Sequence, residues 1–170
     1  MTIALLAVAL LATLPGWLLP DDSPVHAAGA AVGTLAVLGL GAWMLFDPGW
    51  AAAGDAARAT HVLLAGALAV FGGGPVAAAV LHRVEIDGRV DDAGQVLRGG
   101  AWIGAMERAA IFATVVVGWP EGLAVVLALK GLGRYPELKH PGAAERFIIG
   151  SFASVLWALA SAGVLVALLR

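Results

Sequence analysis

The sequence predicts an all-α fold, a polytopic transmembrane bundle of about six helices, and three observations carry that expectation. Hydrophobic residues make up 61% of the 170-residue chain and charged residues only 13%, where a soluble domain carries about 25% charged residues. So few charges cannot clothe a solvated surface, but they suit one that faces lipid. The mean hydropathy is +0.91. The apolar residues also fall into six runs separated by turn-forming or charged links, the pattern of segments that each cross a hydrocarbon core of about 30 Å. The length fits a single membrane domain over 1–170. Within it, 1–99 form variable N-terminal helices and 100–170 a charge-bearing helical unit. There is no cysteine, which excludes disulfides and Cys-based metal or redox sites. A net charge of −2 gives no electrostatic footprint for nucleic acid.

The first run covers 3–19. No basic residue precedes it, as a secretory signal would require, so it is expected to be retained as a span despite the cleavage-like Ala7, Ala9 and Ala12. Pro15-Gly16 is expected to bend it, and Trp17 stands where an interfacial aromatic belongs. An acidic link, 20–24, ends it. The second run, 27–46, contains Gly29 and Gly33, a G-x-x-x-G pair that allows close helix approach. Trp43 and Trp50 bracket its far end, and Asp47-Pro48-Gly49 reads as a turn. Residues 51–60 read as a short surface segment. The third run, 61–81, is interrupted by Gly72-Gly73-Gly74-Pro75. Backbone groups freed there must be covered by neighbouring helices or face a water-filled cavity. The stretch is therefore either a tightly packed kink or a broken helix lining a site.

Residues 84–99 form the longest polar stretch and read as a solvated loop. They match neither a calcium loop nor a phosphate-binding loop. The fourth run, 101–119, leads into a tight reversal at Pro120-Glu121-Gly122. The fifth, 123–138, is short and ends near Pro136. His140-Pro141-Gly142 then breaks the chain before the sixth run, 143–169. Gly150, Ser154 and Ser161 give that run a face suited to helix packing, and Trp157 reads as a packing residue. Three links share one side of a six-span topology, and they hold Arg83, Arg89, Arg98, Lys130, Arg134, Lys139 and Arg146. The other side holds only Arg58 and Arg170. The positive-inside rule then places both termini outside and the two basic links in the cytoplasm.

The candidate site is the charge cluster Glu107, Arg108, Lys130, Arg134, Glu145 and Arg146. Charges at membrane depth need partners or water. Glu107 lies about thirteen residues before Pro120 and Lys130 about ten after it. Across an antiparallel hairpin their heights differ by only about 4–5 Å, so the two are expected to pair. Lys130 and Arg134 share a helix face. Three readings follow from the cluster: an ion-pair lock fixing helix register, a cationic pocket for an anionic group such as a lipid phosphate, or a proton or ion relay. His26, His61, His82 and His140 lie apart, with no metal-binding spacing. Ser151, Ser154 and Ser161 have no His–carboxylate pair near them in sequence. No catalytic set is visible, and no cofactor is expected.

The run from Gly100 to Gly163 resembles the C-terminal membrane portion of a bacterial integral-membrane family of unknown function. The family pattern G-x-x-I-G-x-L-E-R is matched by Gly100, Ile103, Gly104, Glu107 and Arg108, with Met106 for Leu. Ala128 and Lys130 match A-x-K-S, with Gly131 for Ser. Arg134, Tyr135, Glu137 and Leu138 match R-F-x-E-L. Ala144, Glu145, Ile149 and Gly150 match A-E-Y-x-x-I-G-T, with Arg146 for Tyr and Ser151 for Thr. The resemblance implies an inner-membrane protein and supplies no reaction. The expected function is therefore a non-enzymatic membrane protein whose charge cluster locks helices and holds an anionic lipid. The alternative is a small transporter or channel component with the third helix broken beside a cavity. Membrane lipids are the expected partners, with room for a homo-oligomer or a larger membrane complex.

Overall fold

The computed structural model describes residues 2–18, 24–46, 54–84, 100–139 and 143–169. The described residues are all-α, with no strand among them. Six main helices follow in order: α1 (Thr2–Thr13), α2 (Pro24–Phe46), α3 (Asp55–Val84), α4 (Gly100–Val116), α5 (Gly122–Gly133) and α6 (Ala143–Leu169). One helical turn, Pro15–Leu18, follows α1, and a 3₁₀ turn, Glu137–Lys139, follows α5. The links expected at 20–23, 47–53, 85–99 and 140–142 lie outside the described residues, as does Arg170.

By length and composition, α3 and α6 can cross a membrane, with mean hydropathies of 1.9 and 2.2 in their most apolar windows. Only 39% and 44% of those windows are buried within the protein. A core helix of a soluble domain would bury most of such a window. Here much of the apolar surface faces outward instead, as Leu63, Trp102 and Leu132 do, each more than 70% exposed.

Helix α6 is the central element, packed against α2, both halves of α3 and α4. One core cluster joins Leu6 and Ala9 of α1 and Val37 and Leu40 of α2 to Leu68 of α3 and Trp157, Val164 and Leu168 of α6. A second joins Ala65, Ala69, Phe112, Ala162 and Leu165. Gly29 and Gly33 let α2 lie directly on α1. A side chain at Gly29 would meet the Ala12 carbonyl oxygen, and one at Gly33 would sit 2.7 Å from Thr13 Cγ2. That is the close approach that small residues at this spacing permit.

Several boundaries differ from the sequence expectation. Instead of bending a single helix over 3–19, the chain ends α1 at Thr13. Pro15 has no N–H to continue the ladder, and Thr13 Oγ1 bonds back to the Leu10 carbonyl at 2.8 Å. Helix α3 begins at Asp55, so residues 55–60 belong to it and not to a separate segment. Gly54 is extended at its N-cap, and Asp55 sits where a negative charge favours a helix start.

Helix α4 ends at Val116, short of 119, in a glycine-terminated cap. Gly118 has φ +76, Trp119 N–H donates to Thr114 O at 2.8 Å and Gly118 N–H to Val115 O at 3.2 Å. These two bonds and the left-handed glycine form a Schellman motif. Helix α5 ends at Gly133 and not at 138. Gly131 and Gly133 weaken its last turn, and Pro136 disfavours helix at the residue before it. Twelve residues give α5 a length of only about 18 Å. It packs chiefly on α4 and buries only Gly122.

Candidate functional site: a cationic cavity beside the helix break

The four residues Gly72, Gly73, Gly74 and Pro75 do not split α3 into half-helices. The chain passes from α-helix (Asp55–Ala67) through a π-helical stretch (Leu68–Gly72) and back to α-helix (Gly73–Val84). Pro75 explains why the region needs outside help. In an α-helical register its missing N–H would have served the Phe71 carbonyl, and in a π-helical register the Val70 carbonyl. Both carbonyls are capped by side chains. Trp17 Nε1–H donates to Phe71 O at 2.8 Å, and Arg108 Nε–H donates to Val70 O at 2.8 Å. A third donor, Trp157 Nε1–H, reaches Leu68 O at 2.9 Å. Each comes from a different part of the chain, so the break ties the turn after α1, α4 and α6 to α3.

The glycines make room for those donors. A Cβ on Gly72 would lie 2.5 Å from Trp157 Cζ2. One on Gly73 would collide with Arg108 Cδ and come within 2.9 Å of Trp157 Cδ1. Gly104, one turn before Arg108 on α4, leaves space for its guanidinium, since a Cβ there would be 3.1 Å from Nη1.

Arg108 itself is 3% exposed. Its Nε caps the break, Nη1 donates to Ser154 Oγ at 3.3 Å, and Nη2 is buried with no hydrogen-bond partner. A buried donor left without an acceptor costs about 1–3 kcal/mol, and more when the group is charged. The guanidinium borders a cavity of about 530 Å³, which gathers the C-terminal half of α3, the N-terminal halves of α4 and α6, the end of α5 and Trp17. Glu107, Arg108, Lys130, Arg134 and Arg146 all line it, together with Gly74 and Pro75. The charge cluster and the helix break, separate features of the sequence, thus border one space. Among the described residues of its wall, four cationic side chains face one carboxylate, and Ser151 Oγ is a second buried polar atom without a partner.

Lys130 Nζ donates to Glu107 Oε2, joining α5 to α4 as the hairpin arithmetic anticipates. The same ammonium lies 5.9 Å from the centre of the Phe147 ring. Arg134 and Arg146 are half-buried at the rim. Glu145 is the one member of the expected cluster that the structure leaves out. It is exposed and does not border the cavity. On α6 the cavity face is set by Arg146, Phe147, Gly150 and Ser154. Glu145 belongs to the outward face at helical spacing with Ile148 and Phe152, 52% and 65% exposed.

The chain matches no protein-family model, no curated protein and no solved structure. Among the described residues no His, Asp and Glu cluster could hold a metal ion. His61 is buried in α3 away from the cavity, bonded to Thr2 Oγ1 at 2.8 Å and Ala57 O at 2.7 Å. A carbonyl only accepts, so Nδ1 carries the proton and Nε2 accepts from Thr2 in the neutral ring.

Sequence reasoning missed the capping roles of Trp17, Trp157 and Arg108. A signal was present: a Gly-Gly-Gly-Pro stretch within an apolar run requires donors from elsewhere. Tryptophan and arginine are side chains that carry N–H groups on largely apolar or long bodies.

Proposed function

We propose that this is a multi-pass membrane protein whose cavity receives the anionic group of a membrane lipid, with the helix break and the Glu107–Lys130 pair holding the cavity in shape. The observation that carries the reading is Arg108, a residue of the cavity wall whose guanidinium keeps one buried donor, Nη2, without a partner. A phosphate oxygen would supply the missing acceptor. Arginine matches that group through its planar fork of donors, and the other cationic side chains of the wall add attraction for an anion.

Six spans with the cavity end in the cytoplasm and both termini outside is the topology we favour. The outward apolar surface and the two long apolar helices support membrane insertion. The basic residues Arg83, Lys130, Arg134, Lys139 and Arg146 all belong to the cavity end of their helices, which fits a cytoplasmic placement. The family resemblance at residues 100–163 agrees with an inner-membrane protein. A second reading, a small transporter or channel component, is favoured by one observation: Gly74 and Pro75 of the break border the cavity.

Native mass spectrometry of the purified protein with equal amounts of phosphatidylglycerol and phosphatidylcholine tests the function. Preferential retention of the anionic lipid is expected, and equal retention would refute the reading. Labelling of a Val90→Cys variant tests topology. Modification from outside in intact cells would reverse the proposed orientation.

A further inference from the structure

The cationic cavity shares part of its wall with a second space. Ile103, Glu107, Lys130 and Arg134 border it, and the same four residues border a groove of about 320 Å³ between α4 and α5. The rest of that groove is Met106, Ala110, Val126, Leu129 and Gly133, with no polar side chain among them. A ligand lying across the Glu107–Lys130 seam would therefore meet cations on one side and hydrocarbon on the other.

The groove also lies at a sparsely packed interface. Helix α5 buries only Gly122, while Met106 and Leu129 in the groove are 64% and 66% exposed. A chain laid between them would cover apolar surface that the protein does not cover itself. A soluble anion would answer Arg108 Nη2 and leave the groove empty. A neutral lipid would fill the groove and leave Arg108 Nη2 without an acceptor.

We propose that one anionic phospholipid occupies both spaces, its phosphate in the cavity beside Arg108 and one acyl chain in the α4–α5 groove. The proposal rests on reading the cavity as a site for the anionic group of a lipid and adds where an acyl chain of that lipid lies. Charge complementarity at one end and an apolar channel at the other, joined at a single seam, are the features an amphiphile requires.

The test plugs the groove without touching the cavity. A Cβ at Gly133 or at Gly131 meets nothing within 4 Å, but only Gly133 borders the groove. Gly133→Leu is the plug, and Gly131→Leu is the control on the same helix. Retention of long-chain phosphatidylglycerol is read by native mass spectrometry, with melting temperature as the check on folding. Gly133→Leu should lower retention at least fivefold, and Gly131→Leu should leave it unchanged. Equal retention in the two variants would overturn the groove assignment.

A second measurement needs no variant. Dihexanoyl phosphatidylglycerol should bind the parent protein at least tenfold more weakly than the dioleoyl form, and inorganic phosphate at millimolar concentration should not displace the latter. Equal affinity for both chain lengths, or displacement by phosphate, would overturn the proposal while leaving the cavity as an anion site. If the parent does not prefer phosphatidylglycerol over phosphatidylcholine, the anion site itself fails, and this proposal with it.

Discussion

Glu107→Ala would leave the Lys130 ammonium in a cavity whose remaining charged wall is Arg108, Arg134 and Arg146. Breaking a buried ion pair by removing one partner costs about 3–5 kcal/mol. Two features of this site lower the figure. The Lys130 and Glu107 side chains keep 15% and 13% of their exposure, so the lysine stem can shift its head toward water or head groups. The Phe147 ring, 5.9 Å away, offers the cation a partial substitute of about 0.5–2 kcal/mol. The expected loss is then about 2–3 kcal/mol. At about 2–4 °C per kcal/mol for a chain of this size, the melting temperature in detergent should fall by roughly 4–12 °C. Lys130→Met should cost less, because Glu107 keeps cationic neighbours on the cavity wall. Exchanging the charges, Glu107→Lys with Lys130→Glu, should recover part of the loss. If Glu107→Ala melts with the parent, the pair does not hold α5 to α4 and the ion-pair account is wrong.

Gly72→Ala and Gly131→Ala should shift stability in opposite directions. At Gly72 the new methyl would sit 2.5 Å from Trp157 Cζ2, on an indole pinned by its bond to Leu68 O, an overpacking that costs about 1–3 kcal/mol. At Gly131 nothing lies within 4 Å, and the gain in helix propensity is about 0.5–1 kcal/mol. Thermal melts of the two variants decide it, and a shift of the same sign in both would refute the packing around the break. Trp17→Phe should cost about 0.5–1.5 kcal/mol by exposing the Phe71 carbonyl, and less in a Pro75→Ala background, where an N–H is restored. Strict additivity in that double-mutant cycle would show that the Phe71 carbonyl is not left open by Pro75.

The all-helical character was legible in composition and in run lengths alone, because apolar helices are long-range averages that no single contact controls. The Glu107–Lys130 pairing was legible too, since a hairpin at Pro120 fixes relative heights by helical rise. Helix ends were less so. The ends of α1 and α5 and the start of α3 depend on caps and on Gly and Pro placement, whereas an apolar run marks only which residues avoid water. Glu145 was grouped with the cluster because it begins the sixth run on the same side as the other charges, yet one residue along α6 turns it about 100° from Arg146 onto the outer face.

That backbone carbonyls near Gly72–Pro75 need donors from elsewhere follows from the residue order alone, because proline lacks an N–H wherever it is placed. Which donors answered was decided only by tertiary structure. Trp17, Arg108 and Trp157 lie 54, 38 and 89 positions from their partners, and no local pattern relates residues so far apart. The meeting of the helix break with the charge cluster in one cavity was decided in the same way. It follows from α4 and α6 packing side by side against the second half of α3, an arrangement set by which apolar faces bury best together and not by the order of residues along any one helix.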